Sequence, residues 1–255
     1  MTKHLRMVSM AAGLLFAGLL SAQLQVSIPY QMSFEEADSA ELVNWHINEG
    51  ANAASCPDQW MVGEDQHSDG LRSLYISDND SSAHFGVAHN IQFAYRDFIL
   101  PVGSYVIAFD WKCLGSTNAK LYVGCGPAAR LSCEAIANAS DLPQTYKGFC
   151  QSETSNLSGQ RYWQNGRLMN INGNGSMTMR LFFAWVSTNE DADLYKPLSA
   201  CIDNVLICSA SCAPPANITV EAGCDSTFVR WTGSSDTYEM NYRRMGDEIW
   251  HNRLG

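Results

Sequence analysis

Hydrophobic residues in this chain recur at every second position in short runs, and Gly, Asn, Ser and Asp separate those runs. Side chains on a strand alternate between its faces, so this rhythm predicts β-strands that each turn one face to a core. The clearest case is Ser104 to Cys113. Tyr105, Ile107, Phe109 and Trp111 share one face there, and Val106, Ala108, Asp110 and Lys112 share the other. The turn formers Gly115 to Ala119 follow, and Lys120 to Val123 reads as the hairpin partner. Met177 to Val186 is mostly apolar on both faces, as a central strand requires, and Ala200 to Cys208 reads as the closing strand. Helix-period signals are nearly absent. The predicted fold class is therefore all-β, a sandwich of two antiparallel sheets.

Punctuation divides the chain. Lys3, His4 and Arg6 precede an apolar stretch, Met10 to Leu20, that is too short to span a bilayer, and Leu20-Ser21-Ala22 offers small residues for cleavage. Residues 1–22 thus read as a secretion signal. Residues 23–208 form the sandwich. Ser209 to Pro215 is a linker, because Pro214 and Pro215 lack the N–H groups that a strand needs. Residues 216–255 are a smaller β-rich piece. After signal removal no run is long and apolar enough for membrane insertion.

Charge narrows the choice of partners. The signal carries two of the 16 basic residues and none of the 26 acidic ones, so 14 basic face 26 acidic residues and the mature net charge is −12. Such a surface repels phosphate backbones and anionic lipids, which excludes nucleic acid as a natural partner, and it suits divalent cations. All nine cysteines lie in the exported part, where disulfides persist, and Cys125 and Cys133 could pair across a short loop. The odd count leaves one thiol over.

Several stretches carry a family resemblance. Ser33-Phe-Glu-Glu36, Val43 to Gly50, Gly70 to Ser77, Tyr105 to Val123 and the closing Leu198 to Cys208 resemble, in order and spacing, the MAM-like jelly-roll domains of secreted bacterial proteins, in particular the cleaved-adhesin type. The resemblance covers about residues 26 to 208. It implies a jelly-roll β-sandwich, a calcium ion near the start and end of the domain, and a role in adhesion or beside secreted peptidases and glycosidases. Residue by residue it puts Glu35 on the first strand and Asp203 on the last as metal ligands, with Ser68 to Gly70 supplying Asp69 or a carbonyl. Residues 213–255 resemble the opening half of a fibronectin type III domain, through Pro214-Pro215, the alternation of Val229 and Trp231, and that of Tyr238, Met240 and Tyr242. That fold needs some seven strands, so this piece is expected to be an incomplete sandwich and the chain part of a longer multi-domain protein.

The residues themselves offer three chemistries. Hard oxygens suit calcium, while Glu35 and Asp203 read equally as solvated strand-end carboxylates. Asp78 to Asp80 and Asp191 to Asp193 lack the oxygens and glycine of an EF-hand loop and read as hydrated turns. Trp60, Tyr162 and Trp163 stand in polar contexts and could stack on sugar rings, or pack against a sheet edge; Arg161 and Arg167 flank the second pair and could meet an acidic sugar or this acidic protein. Catalytic motifs are missing: there is no H-E-x-x-H and no G-x-S-x-G, and Cys125, with His84 or His89 as a conceivable base, is the nearest approach to a nucleophile. The expected function is a secreted or cell-surface, non-catalytic adhesion module for a glycan or an extracellular or host protein. The alternative is an ancillary domain of a larger exported peptidase or glycosidase.

Overall fold

The computed structural model describes residues 24–51, 53–78, 82–86, 90–116, 119–136, 151–152, 157–187, 198–212, 215–222, 227–233, 238–242 and 251–254. Residues 1–22, expected to be a secretion signal, and residues 79–80 and 191–193 lie outside them. Two antiparallel sheets face each other. The larger runs β3 (Gln59–Gly63), β4 (Ser73–Ser77), β11 (Ala200–Ser209), β6 (Gly103–Cys113), β9 (Gln160–Gly173) and β8 (Gln151–Ser152), and β1 (Tyr30–Met32) pairs with β11 as its seventh strand. The smaller runs β2 (Trp45–Glu49), β5 (Asn90–Ile99), β10 (Thr178–Ser187) and β7 (Lys120–Pro127). This is a jelly-roll β-sandwich.

Alternation places the core between the sheets. Tyr105, Ile107, Phe109 and Trp111 of β6 all point inward, where Phe109 meets Phe183 of β10 edge-on at 5.4 Å. Trp45 stacks on Phe183 at 6.2 Å, and Phe85 abuts Trp185 at 4.9 Å. β10 is apolar on both faces because both are covered. Leu181, Phe183 and Trp185 enter the central core, while Phe182, Ala184 and Val186 pack outward against Phe93, Leu131, Cys133 and Ile136. Residues 128–136 therefore act as a lid on the outside of the smaller sheet, and β10 is buried on both sides as a central strand should be.

Three expectations change. Lys120 to Val123 is not the hairpin partner of β6: β7 pairs with β10 in the other sheet. The connection crosses between the layers, helped by Gly115 at φ 52°, where a side chain would collide with the Ala119 carbonyl. Cys125 and Cys133 are free thiols on opposite faces of the smaller sheet, one in the central core and one in the outer layer, so no bond joins them. Cys56, Cys113, Cys201 and Cys208 are likewise buried free thiols. Trp60 belongs to the core. Only 1% exposed, it donates its indole N–H to the Gln92 carbonyl at 3.0 Å, and Asn48 holds its backbone on both sides at 2.6 and 3.0 Å. Its polar sequence neighbours belong to the approach to β3, and strand alternation turns the ring itself inward.

Beyond β11 lie two hairpins, β12 (Ala216–Ala222) with β13 (Thr227–Thr232) and β14 (Glu239–Tyr242) with β15 (His251–Leu254). Val229 and Trp231 fall on β13, and Trp231 meets Tyr238 edge-on at 6.0 Å. Ile218, Val220 and Phe228 stay more than half exposed. Among the described residues these hairpins form separate two-stranded sheets and no closed second sandwich.

Core truncations should be costly here. Phe183→Ala and Trp60→Ala should each lower the unfolding free energy by about 3–5 kcal/mol in urea titrations, whereas Val43→Ala, at a residue 76% exposed, should stay within about 0.5 kcal/mol.

Candidate functional site

The side chains between the core-facing ones on the larger sheet must point away from the sandwich, and they form its outward face. Register sets the rows. Cys201 of β11 lies opposite Lys112 of β6; Asp203 lies opposite Asp110, which on its other side lies opposite Asn165 of β9; Ala108 lies opposite Arg167. One end of the face is apolar: Tyr75, Cys201 and Ala83 pack with Met61, Leu198 and the half-buried Trp163. The Lys112 ammonium stands 4.9 Å from the centre of the Trp163 ring and donates to the Gln66 side-chain oxygen. The other end is covered by a second apolar patch of Val106, Cys208, Leu206 and Ala210.

Between them runs a polar row. Asp110 accepts from the Ser68 hydroxyl at 2.8 Å, the Asn204 amide at 3.0 Å and the Asn165 amide at 3.3 Å. Arg167 donates to the Asn165 side-chain oxygen at 3.2 Å and to the Pro215 carbonyl, which ties the linker to this face. Asn204 reaches the row because β11 carries a bulge between Asp203 and Leu206, with Asn204 at φ 50°. An extra residue in a strand re-aims its neighbours, and asparagine tolerates the left-handed region better than most side chains. A cavity of about 330 Å³ opens beside Asn204, lined by Gln31, Ser33, Asp38 and Leu206 among others.

Asp203 is fully buried. Its Oδ2 accepts the Ser68 and Asp69 N–H groups at 2.8 and 3.4 Å, and its Oδ1 accepts the Asn204 N–H at 2.8 Å. Burial pushes its carboxyl up from 3.8 to about 6; the three N–H groups oppose the rise and the Asp110 charge adds to it. Glu35 holds the other end of the same loop, accepting the Leu71 and Arg72 N–H groups at 2.8 and 2.9 Å. It sits just past β1 rather than on it, because Phe34 takes φ 60° to bury its ring against Trp45. Left-handed backbone at a bulky residue costs on the order of 1–3 kcal/mol, which burial of the ring offsets. Gly70 completes the loop at φ 65°, where a Cβ would collide with the Glu35 carboxylate.

The three suspected metal ligands thus converge on one loop. Glu35 and Asp203 grip its two ends, and Asp69 contributes its N–H while its side chain faces solvent. Their oxygens suit calcium in type. In arrangement, Glu35 Oε1 and both Asp203 oxygens already accept backbone N–H groups, and among the described residues no three His, Cys, Asp or Glu side chains group as a metal site would. Of the suspected ligand-binding aromatics, Trp163 borders the outward face, Tyr162 beside it is 77% exposed, and Trp60 is elsewhere, in the core. Asp110, Asn165 and Asn204 escaped the sequence reading. The signal for Asp110 was present, since it alternates with the core residues of β6, but nothing local in sequence announced its partners.

No family model matches the chain, and no curated protein matches it. Solved structures do. The CBM22-1 xylan-binding domain of Paenibacillus barcinonensis Xyn10C is 12% identical, with 74% of this chain and 98% of that one covered and a TM-score of 0.39. TmCBM61 in complex with β-1,4-galactotriose is 10% identical, with 70% and 99% covered and a TM-score of 0.38. A putative sugar-binding protein of Bacteroides thetaiotaomicron is 9% identical, with 65% and 87% covered and a TM-score of 0.30. These likenesses assign neither family nor ligand, and the MAM-like and cleaved-adhesin resemblance finds no matching family model.

Two outcomes follow from the loop. An acid whose folded-state pKa lies above its unfolded value favours folding when protonated. Asp203 should therefore cost stability above about pH 6, and that cost should be relieved as pH falls toward 4. Urea midpoints of wild type minus those of Asp203→Asn should rise across that window, and a flat difference would contradict the assignment. Gly70→Ala should destabilise the protein by about 1–3 kcal/mol, through strain at positive φ and the loss of the Glu35 contacts.

Proposed function

We propose that the mature chain is an exported, non-catalytic module that binds a glycan across the outward face of its larger sheet. One observation carries this reading: a half-buried tryptophan, Trp163, borders a row of side chains rich in hydrogen-bonding groups, Asp110, Asn165 and Asn204. A sugar ring has flat C–H faces and a rim of hydroxyls. An indole offers the first a stacking surface, and carboxylate and amide groups offer the second both acceptors and donors. Asn165 and Asn204 are fixed by Asp110, so the row is arranged before any ligand arrives, which lowers the entropic cost of binding. The non-catalytic reading draws support from Cys125, the nearest candidate nucleophile, which is fully buried in the core. Export draws support from the charged start and short apolar stretch of residues 1–22.

A structural calcium at Glu35, Asp69 and Asp203 is a separate proposal. An ion there would compete with the loop N–H groups bonded to Glu35 Oε1 and Asp203 Oδ2, so it would tune the loop rather than create the fold.

Retention on insoluble polysaccharides, or electrophoresis through gels that contain soluble ones, tests the main reading. Trp163→Ala should weaken binding by at least about tenfold, the effect of 1.4 kcal/mol, and Tyr162→Ala should weaken it less, with unfolding midpoints little changed in the second variant. Binding that survives Trp163→Ala unaltered would reject this face. For calcium, melting should rise in millimolar calcium relative to chelator, and Glu35→Gln should remove the rise; equal melting in both removes the ion from the account.

A further inference from the structure

We infer that the outward face selects neutral, hydroxyl-rich glycans and rejects uronate-bearing or sulfated ones, with Asp110 as the selecting residue. This rests on the glycan-binding reading and adds the charge class of the ligand to it.

The centre of the face carries two carboxylates, and the cations nearest to them in register are bonded to neutral partners. Asp110 and Asp203 lie directly opposite each other on β6 and β11, and among the described residues neither forms an ion pair. The two cations nearest in register are otherwise engaged. Lys112 donates to Gln66 and stands over Trp163, and Arg167 donates to Asn165 and the Pro215 carbonyl, so both keep their charge while these N–H groups are committed to neutral acceptors. A carboxylate offers about four acceptor positions, and Ser68, Asn204 and Asn165 fill three of those on Asp110. A sugar hydroxyl can donate to the fourth, as a charge-assisted and therefore stronger bond. It can also accept from the amide hydrogen of Asn165 that does not face Asp110. A uronate carboxylate or a sulfate can only accept, and it would bring a like charge against Asp110 on a partly dehydrated surface. Arg161, exposed at the start of β9 and outside the polar row, is a further cation that an acidic sugar could meet.

Net charge pushes the same way, since the whole chain carries −10, so the local effect must be separated from the global one. The experiment compares neutral β-glucan, mannan and galactan with polygalacturonate and a sulfated galactan, in gels that contain chelator so that no divalent ion bridges carboxylates. Wild type should bind at least one neutral polymer, and every acidic one at least about tenfold more weakly, a gap that narrows as salt is raised. Asp110→Asn should close most of that gap, and Asn165→Asp, which adds a charge to the same row, should widen it. Glu134→Gln, an exposed acid on the opposite side of the sandwich, should leave it alone.

Acidic polymers bound as tightly as neutral ones would overturn the inference, as would acidic binding that Arg161→Gln abolishes, or a gap that Asp110→Asn and Asn165→Asp both leave unchanged. In each of those cases glycan binding itself stands. Retention of no polymer at all would instead reject the glycan-binding reading on which the inference rests.

Discussion

β11 pairs with three other strands, and the rest of the molecule depends on that arrangement. Its second half takes β1, with Tyr30 opposite Ile207 and Met32 opposite Val205, and its first half takes β4, with Cys201 opposite Tyr75. Its other edge takes β6 along nearly its full length. The first strand of the domain, the last strand and the middle of the chain are thereby bonded into one sheet. Nothing local in sequence supplies these contacts. Their loop-closure entropy is offset only when both sheets bury their apolar faces together, so the sandwich is expected to form as a cooperative unit.

The same strand gives the outward face its character. The bulge between Asp203 and Leu206 turns Asn204 toward Asp110, and the β11–β6 register sets Asp203 beside the same carboxylate. Burying Asp203 is costly, and the Ser68, Asp69 and Asn204 N–H groups offset part of that cost while docking the loop between β3 and β4 over the sheet. Glu35 fastens the far end of the loop, so closure of the fold and organisation of the polar row are one event. The linker joins it through Arg167 and Pro215. Two carboxylates from the ends of the domain therefore shape a surface formed mainly by its middle.

Much of this was legible in advance. Alternation on β6 named the four core residues and, by subtraction, left Asp110 and Lys112 outside. The two-faced apolar pattern of β10 identified a central strand covered on both sides. The family resemblance singled out Glu35 and Asp203 as metal ligands; the structure has both accepting backbone N–H groups of one loop. Other features were illegible for definite reasons. The partner of β7 could not be read because a turn between two strands looks alike whether the chain returns in the same sheet or crosses to the facing one. Trp60 misled because its polar neighbours line the approach to a strand whose alternation buries the ring.

The sequence by itself determined that the chain forms β-strands and which residues of its clearest strand face the core, because side-chain alternation acts over a few residues. Only the tertiary structure decided which strands are neighbours, that Asp110, Asn165 and Asn204 share one row, and that Glu35 and Asp203 clasp the same loop. Those facts rest on register between segments far apart in the chain, and register is settled by how two whole sheets pack, a property that no single segment carries.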